Sequence, residues 1–166
     1  MKKVLLLGGI IILLAIGFFI LYPNKPKITP KTARNSQTEQ AQEETNMNAS
    51  FEIYTNGTRR IFTNPMYHNL SPDVYIEAPN PNIINVKKAN TTWGDFFKTL
   101  PFTLTKDCLV TGTNQTFCTN NAQILKFYIN SKQDALALEK KINAGDKLLV
   151  SYGGESEVEI KKQLSQ

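Results

Sequence analysis

The chain has 166 residues, 41% hydrophobic and 20% charged, so it is neither wholly disordered nor a polytopic membrane protein and has room for one domain with extras. Its formal net charge of +5 is spread along the sequence without a dense Lys/Arg stripe, and nucleic acid is not an expected partner.

Met1-Lys2-Lys3 precedes an uncharged, Leu/Ile/Phe/Gly-rich run from Val4 to Tyr22. A helix of about 20 apolar residues spans the hydrocarbon core. The run is longer than a signal-peptide core, has no small-residue cleavage pattern and is not followed by cysteine. It predicts an uncleaved single-span anchor, residues 1–22, that contacts the membrane through residues 4–22. Basic residues flank it on both sides, so charge alone does not orient it. A surface-appendage subunit also begins with an apolar helix, but a pilin carries an acidic residue early in that helix, and none lies here. From Pro23 to Ala49 the chain is rich in Pro, then in Gln, Glu, Thr and Asn. With little apolar surface to bury, residues 23–49 read as a polar stalk.

The body, residues 50–153, opens with Phe51–Thr55 and Thr58–Phe62 around Asn56-Gly57, a strong hairpin signal because both turn positions need positive φ. Residues 63–72 are irregular. Short strands follow at Val74–Glu77 and Ile83–Val86, separated by Pro79 and Pro81. Thr92 then caps a helix with Asp95 at the capping-box spacing, and Pro101 ends it. Trp93, Phe96, Phe97 and Leu100 fall at i, i+3, i+4 and i+7, one helical face expected to point into the core. Phe102–Thr105, Cys108–Val110 and Thr116–Cys118 read as extended.

Cys108 and Cys118 lie equidistant from Thr113, so a hairpin centred there sets them face to face. In an exported domain such a pair is expected to be a disulfide. The alternatives are reduced buried thiols in a cytoplasmic domain, or a thiol-redox or other enzyme of the envelope using the pair. Ile124–Ile129 reads as a central strand and Gln133–Ile142 as a short helix with Ala135, Leu138 and Ile142 on one side. Lys147–Tyr152 is a strand entered through Gly145-Asp146. Residues 154–166 read as a charged tail, frayed or weakly helical.

Strand, helix, hairpin, strand and a last strand entered through Gly-Asp predict an α+β fold. It is β-grasp-like, an antiparallel or mixed sheet on one main helix, preceded by a β-hairpin and a transmembrane helix. TWGDFFKTL at 92–100, the pair Cys108/Cys118, LKFYIN at 125–130 and GDKLLVSYG at 145–153 resemble the motifs of an uncharacterised family of membrane-anchored proteins from archaea and small-genome bacteria. The C-terminal half is more weakly similar to the transcobalamin-like C-terminal domain. The resemblance implies a fold and a membrane setting, but no activity. Members of the family carry H-x-H patterns on the two strands before the helix. The matching places here are Tyr75, Glu77, Asn85 and Lys87, so a metal site is not expected.

His68 is the only histidine, and no G-x-S-x-G, G-x-G-x-x-G or phosphate-binding loop is present. No catalytic residue, cofactor or metal is therefore expected. N-x-S/T occurs at Asn48, Asn56, Asn69, Asn90 and Asn114. An Asn- and Thr-rich chain yields some by chance, yet several fall in predicted turns and are candidate glycosylation positions. With the cysteine pair they favour an extracytoplasmic body. The expected role is a binding or interaction module for an envelope protein or a small surface ligand. Its function is placed in the loops around Pro65–Asp73, Pro79–Asn82 and Thr111–Gln115.

Overall fold

The computed structural model describes residues 44–166. The anchor and nearly all of the stalk lie outside that range. No helix among the described residues is long and apolar enough to cross a membrane.

Strand β1 (Glu44–Thr55) turns through Asn56 and Gly57, at φ +51° and +74°, into β2 (Thr58–Arg59). Strands β3 (Val74–Glu77) and β4 (Asn80–Lys88) form a second hairpin, followed by helix α1 (Trp93–Thr99). A small antiparallel sheet comprises β5 (Thr103–Leu104), β6 (Cys108–Val110) and β7 (Thr116–Cys118). The chain then supplies β8 (Ile124–Ile129), β9 (Lys132–Gln133), β10 (Lys147–Gly153) and helix α2 (Glu157–Leu164). The main sheet runs β3-β4-β1-β10-β8-β9, with β2 also paired to β1. Its central pair is parallel, Phe51 beside Leu148 and Ile53 beside Val150, and the other pairings are antiparallel. The fold is thus a mixed, sheet-rich α+β structure with two helices.

Helix α1 forms where its sequence says it should. Thr92 Oγ1 accepts from the Asp95 N–H, and Asp95 accepts in return from the Thr92 N–H. These bonds occupy orphan donors of the first turn. The Thr92 hydroxyl, donating to Asp95 Oδ2 at 2.7 Å, contributes most to holding the Asp95 carboxyl below its ordinary 3.8, and the Thr92 N–H adds to it. Trp93, Phe96, Phe97 and Leu100 are all buried, the expected core face. Phe51 from β1 meets the Phe96 and Phe97 rings edge-on, 5.2 and 5.7 Å between centroids. Edge-to-face pairs add about 0.5–1.5 kcal/mol to area burial, so the helix is held by shape as well as by apolar area.

Two expectations are corrected. The stalk does not extend to residue 49: β1 begins at Glu44, with Met47 opposite Val86 and Ala49 opposite Ile84 on β4. Met47 and Ala49 turn inward while their polar neighbours stay out, which suffices for a strand once β4 supplies hydrogen bonds.

Gln133–Ile142 is not a helix. Asn130 and Ser131, at φ +51° and +67°, turn the chain into β9, and only a single 3-10 turn forms at Ala137–Glu139. Ala137 and Ile142 are buried, Leu138 is half-buried and Ala135 is exposed. The segment instead lies against α1: the Trp93 N–H donates to Lys140 O at 3.0 Å and the Ile142 N–H to Thr91 O at 2.9 Å. A side chain at Gly94 would begin 2.8 Å from Leu138 O, so glycine admits this close approach.

Of the two forms expected for the tail, it takes the helical one. Ser156 and Glu159 form a capping box at the start of α2, and Ile160 packs with Tyr54 and Leu149 on the sheet face opposite α1. β10 is therefore covered on both faces, Leu148 and Val150 by one core and Leu149 by the other. This accounts for its nearly unbroken apolar run.

Candidate functional site

Cys108 and Cys118 are bonded, and they stand directly opposite each other on β6 and β7 with Cα atoms 4.1 Å apart. The Thr119 N–H donates to Asp107 O next door, so the cysteines occupy a non-hydrogen-bonded position, the closer of the two kinds of opposed pair. The disulfide fixes the hairpin whose tip is Thr111–Thr113.

That tip forms one wall of a groove of about 440 Å³. Thr58–Ile61, at and just beyond β2, form another wall, and Met66 and Tyr67 also line it. The floor is Ile53, Phe62, Phe102 and Leu109, which belong to the main core or pack against it. At this size and with this lining the groove falls within the range of ordinary ligand sites. Gly112 keeps the tip close to the body, because a Cβ there would meet Pro101 O at 2.9 Å. Of the three loops expected to carry function, two meet here. The third, at the β3–β4 turn, does not: Asn82 instead donates to Phe51 O at 3.0 Å.

The groove's charge comes from Arg59 and Arg60. Arg59 is neutralised by Glu52 at 2.7 Å. Arg60 is half-buried. Its Nε donates to Thr55 Oγ1 at 2.7 Å, and its guanidinium carbon lies 4.9 Å from the Phe117 ring centroid. Among the described residues no carboxylate comes within ion-pair distance of it. Hydroxyl and ring fix the guanidinium in place while its charge remains available.

His68 is engaged structurally. Its Nε2 lies 2.9 Å from Phe62 O, and since a carbonyl only accepts, Nε2 carries the proton. The bond ties the 63–72 loop to the groove floor. Tyr75, Glu77, Asn85 and Lys87 alternate with buried Val74, Ile76, Ile84 and Val86, which puts them on the outward face of β3 and β4. Asn85 donates to Glu77 at 3.4 Å and Lys87 to Asn46 at 2.7 Å. Among the described residues no three His, Cys, Asp or Glu side chains converge as metal ligands would.

All five sequon asparagines are exposed. Asn56, Asn69, Asn90 and Asn114 sit at φ between +51° and +63°, in turns, whereas Asn48 lies within β1. Asn56 and Asn114 stand close in sequence to the two walls of the groove.

The groove itself was not legible in the sequence, because its parts come from residues 53–62, 66–67, 102–113. The one signal was apolar residues in polar surroundings: Ile61 is 71% exposed and Met66 47%. Comparison with protein-family models, curated proteins and solved structures gives no match.

Proposed function

We propose that this chain is a single-span membrane-anchored protein whose extracytoplasmic, β-grasp-like body is a binding module, with the groove as its binding site. The observation that carries the reading is the groove itself: an apolar floor, a fixed cation with no ion-pair partner among the described residues, one loop braced by a disulfide and a second tied down by His68. The apolar run Val4–Tyr22 supports the anchor. The disulfide and the exposed sequons support an exported body. The order β4-β1-β10-β8-β9 about a parallel central pair, with α1 packed on one face, supports the β-grasp assignment. So does the likeness of residues 92–100, 125–130 and 145–153 to the membrane-anchored family, whose motifs all fall in the body. The partner is an envelope protein or a small surface ligand.

The test uses anilinonaphthalene sulfonate, an apolar anion matched to this lining, with the full-length chain in lipid nanodiscs. Saturable fluorescence above that of empty nanodiscs is expected, and it is lost in Thr113→Trp, an exposed position at the mouth. Equal fluorescence from the variant contradicts the reading.

A further inference from the structure

We infer that the groove takes an extended, acidic segment of a partner polypeptide, which adds a strand to the outer edge of β2 and sets a carboxylate against Arg60. This rests on the reading of the groove as the binding site and names its occupant.

The first observation is the edge. Among the described residues β2 pairs with β1 alone, Thr58 opposite Thr55 and Arg59 opposite Tyr54. The Arg60 N–H donates inward, to Ile53 O at 2.8 Å. Inward and outward bonding alternate along an antiparallel strand, so the backbone groups of Arg59 point outward. Thr58–Ile61 line the groove, so this open edge borders it. Unpaired strand edges are templates for another strand. An alkyl chain would leave these donors and acceptors without partners, whereas an extended peptide satisfies them.

The second observation is charge. Arg60 is the groove's cation with no ion-pair partner among the described residues, held in position by Thr55 and Phe117. A carboxylate fits it by charge and by fork geometry. The third is the lining: Ile61 and Met66, both exposed, border a floor of buried apolar side chains. Alternate apolar residues of an added strand would be received there, while their neighbours face out.

The test is displacement of the dye from the full-length chain in nanodiscs. The competitor is a pool of peptides of about seven residues, the length of an ordinary strand, with mixed Val, Ile, Leu and Phe alternating with Thr and a terminal Glu. The pool is expected to displace the dye. N-methylation of alternate backbone amides should abolish displacement without any change to the protein. Arg60→Gln should weaken the peptides by about tenfold or more. Equal competition by the N-methylated pool overturns strand addition, and equal competition on Arg60→Gln overturns the carboxylate contact. Displacement by dodecanoate but not by peptides overturns a polypeptide occupant. Bound dye that nothing displaces overturns the inference and leaves the groove reading standing, whereas failure of the dye to bind overturns both.

Discussion

Glu155 Oε2 lies 3.3 Å from Lys126 Nζ, and the two side chains retain only 6% and 14% of their exposure. Glu155 Oε1 also accepts from the Gly57 N–H at 3.2 Å, a residue 98 positions away. One carboxylate thus joins β8, the β1–β2 turn and the approach to α2. A side chain at Gly153, whose φ is +154°, would overlap that carboxylate, so glycine is needed there. Removing one partner of a buried pair strands the other charge. Glu155→Gln is expected to cost about 3 kcal/mol. Adding Lys126→Met should recover most of it, because the stranded charge is removed. Trp93, the single tryptophan and fully buried, reports both in urea unfolding of the full-length chain. No change in midpoint for Glu155→Gln would mean the pair holds nothing.

Helix α2 should loosen in acid. Glu159 accepts from the Ser156 N–H and hydroxyl, both at 2.8 Å, and these bonds, the backbone one foremost, hold its carboxyl below its ordinary 4.5. A lowered folded-state value contributes stability that is present above 4.5 and is lost as pH falls through the lower value. The protection of amides over Glu157–Leu164, measured against their intrinsic exchange rates at each pH, is therefore expected to fall at about pH 3 relative to neutral pH. Ser156→Ala should cost about 1 kcal/mol at neutral pH. Unchanged protection in acid would contradict the capping account.

The natively isolated protein should show no reactive thiol without reductant. Replacing both cysteines by alanine is expected to cost roughly 2–3 kcal/mol, since the bond closes a short loop. It should also weaken dye binding, because the Thr111–Thr113 wall is then no longer braced. Two accessible thiols in the native protein would remove the bracing role.

If the body is exported, its sequons meet the glycosylation machinery. Asn56, Asn69, Asn90 and Asn114, exposed in turns, are the expected acceptors, ahead of Asn48, which lies within a strand. Glycopeptide mass spectrometry of the native protein decides this. Unmodified asparagine at all four contradicts it. Protease treatment of intact cells checks location separately, and a body protected until lysis would place it inside.

What the sequence disclosed was local. The spacing of Trp93, Phe96, Phe97 and Leu100, the cap at Thr92 and Asp95, and Asn56-Gly57 each specify geometry within a few residues, and each was readable. Cys108 and Cys118 were readable because one turn sets their register. The start of β1 was hidden because Met47 and Ala49 are its only inward apolar side chains there, and the strand depends on β4, which follows about 35 residues later. Helix α2 carried a readable Ser156–Glu159 box, but its charged residues masked a narrow stripe of Ile160 and Leu164. The 133–142 stretch took its shape from contact with α1 at Gly94, which no local periodicity encodes. The groove needs three such non-local approaches at once.

Among the described residues, Met66 lines the groove, while Met47 packs in the sheet and serves as an internal control. The most direct test labels the methionine methyls of the full-length chain in nanodiscs and titrates anilinonaphthalene sulfonate, then the acidic peptide pool. The account predicts that the Met66 resonance shifts saturably with both while Met47 stays still. A stationary Met66, or equal movement of both methyls, would contradict it.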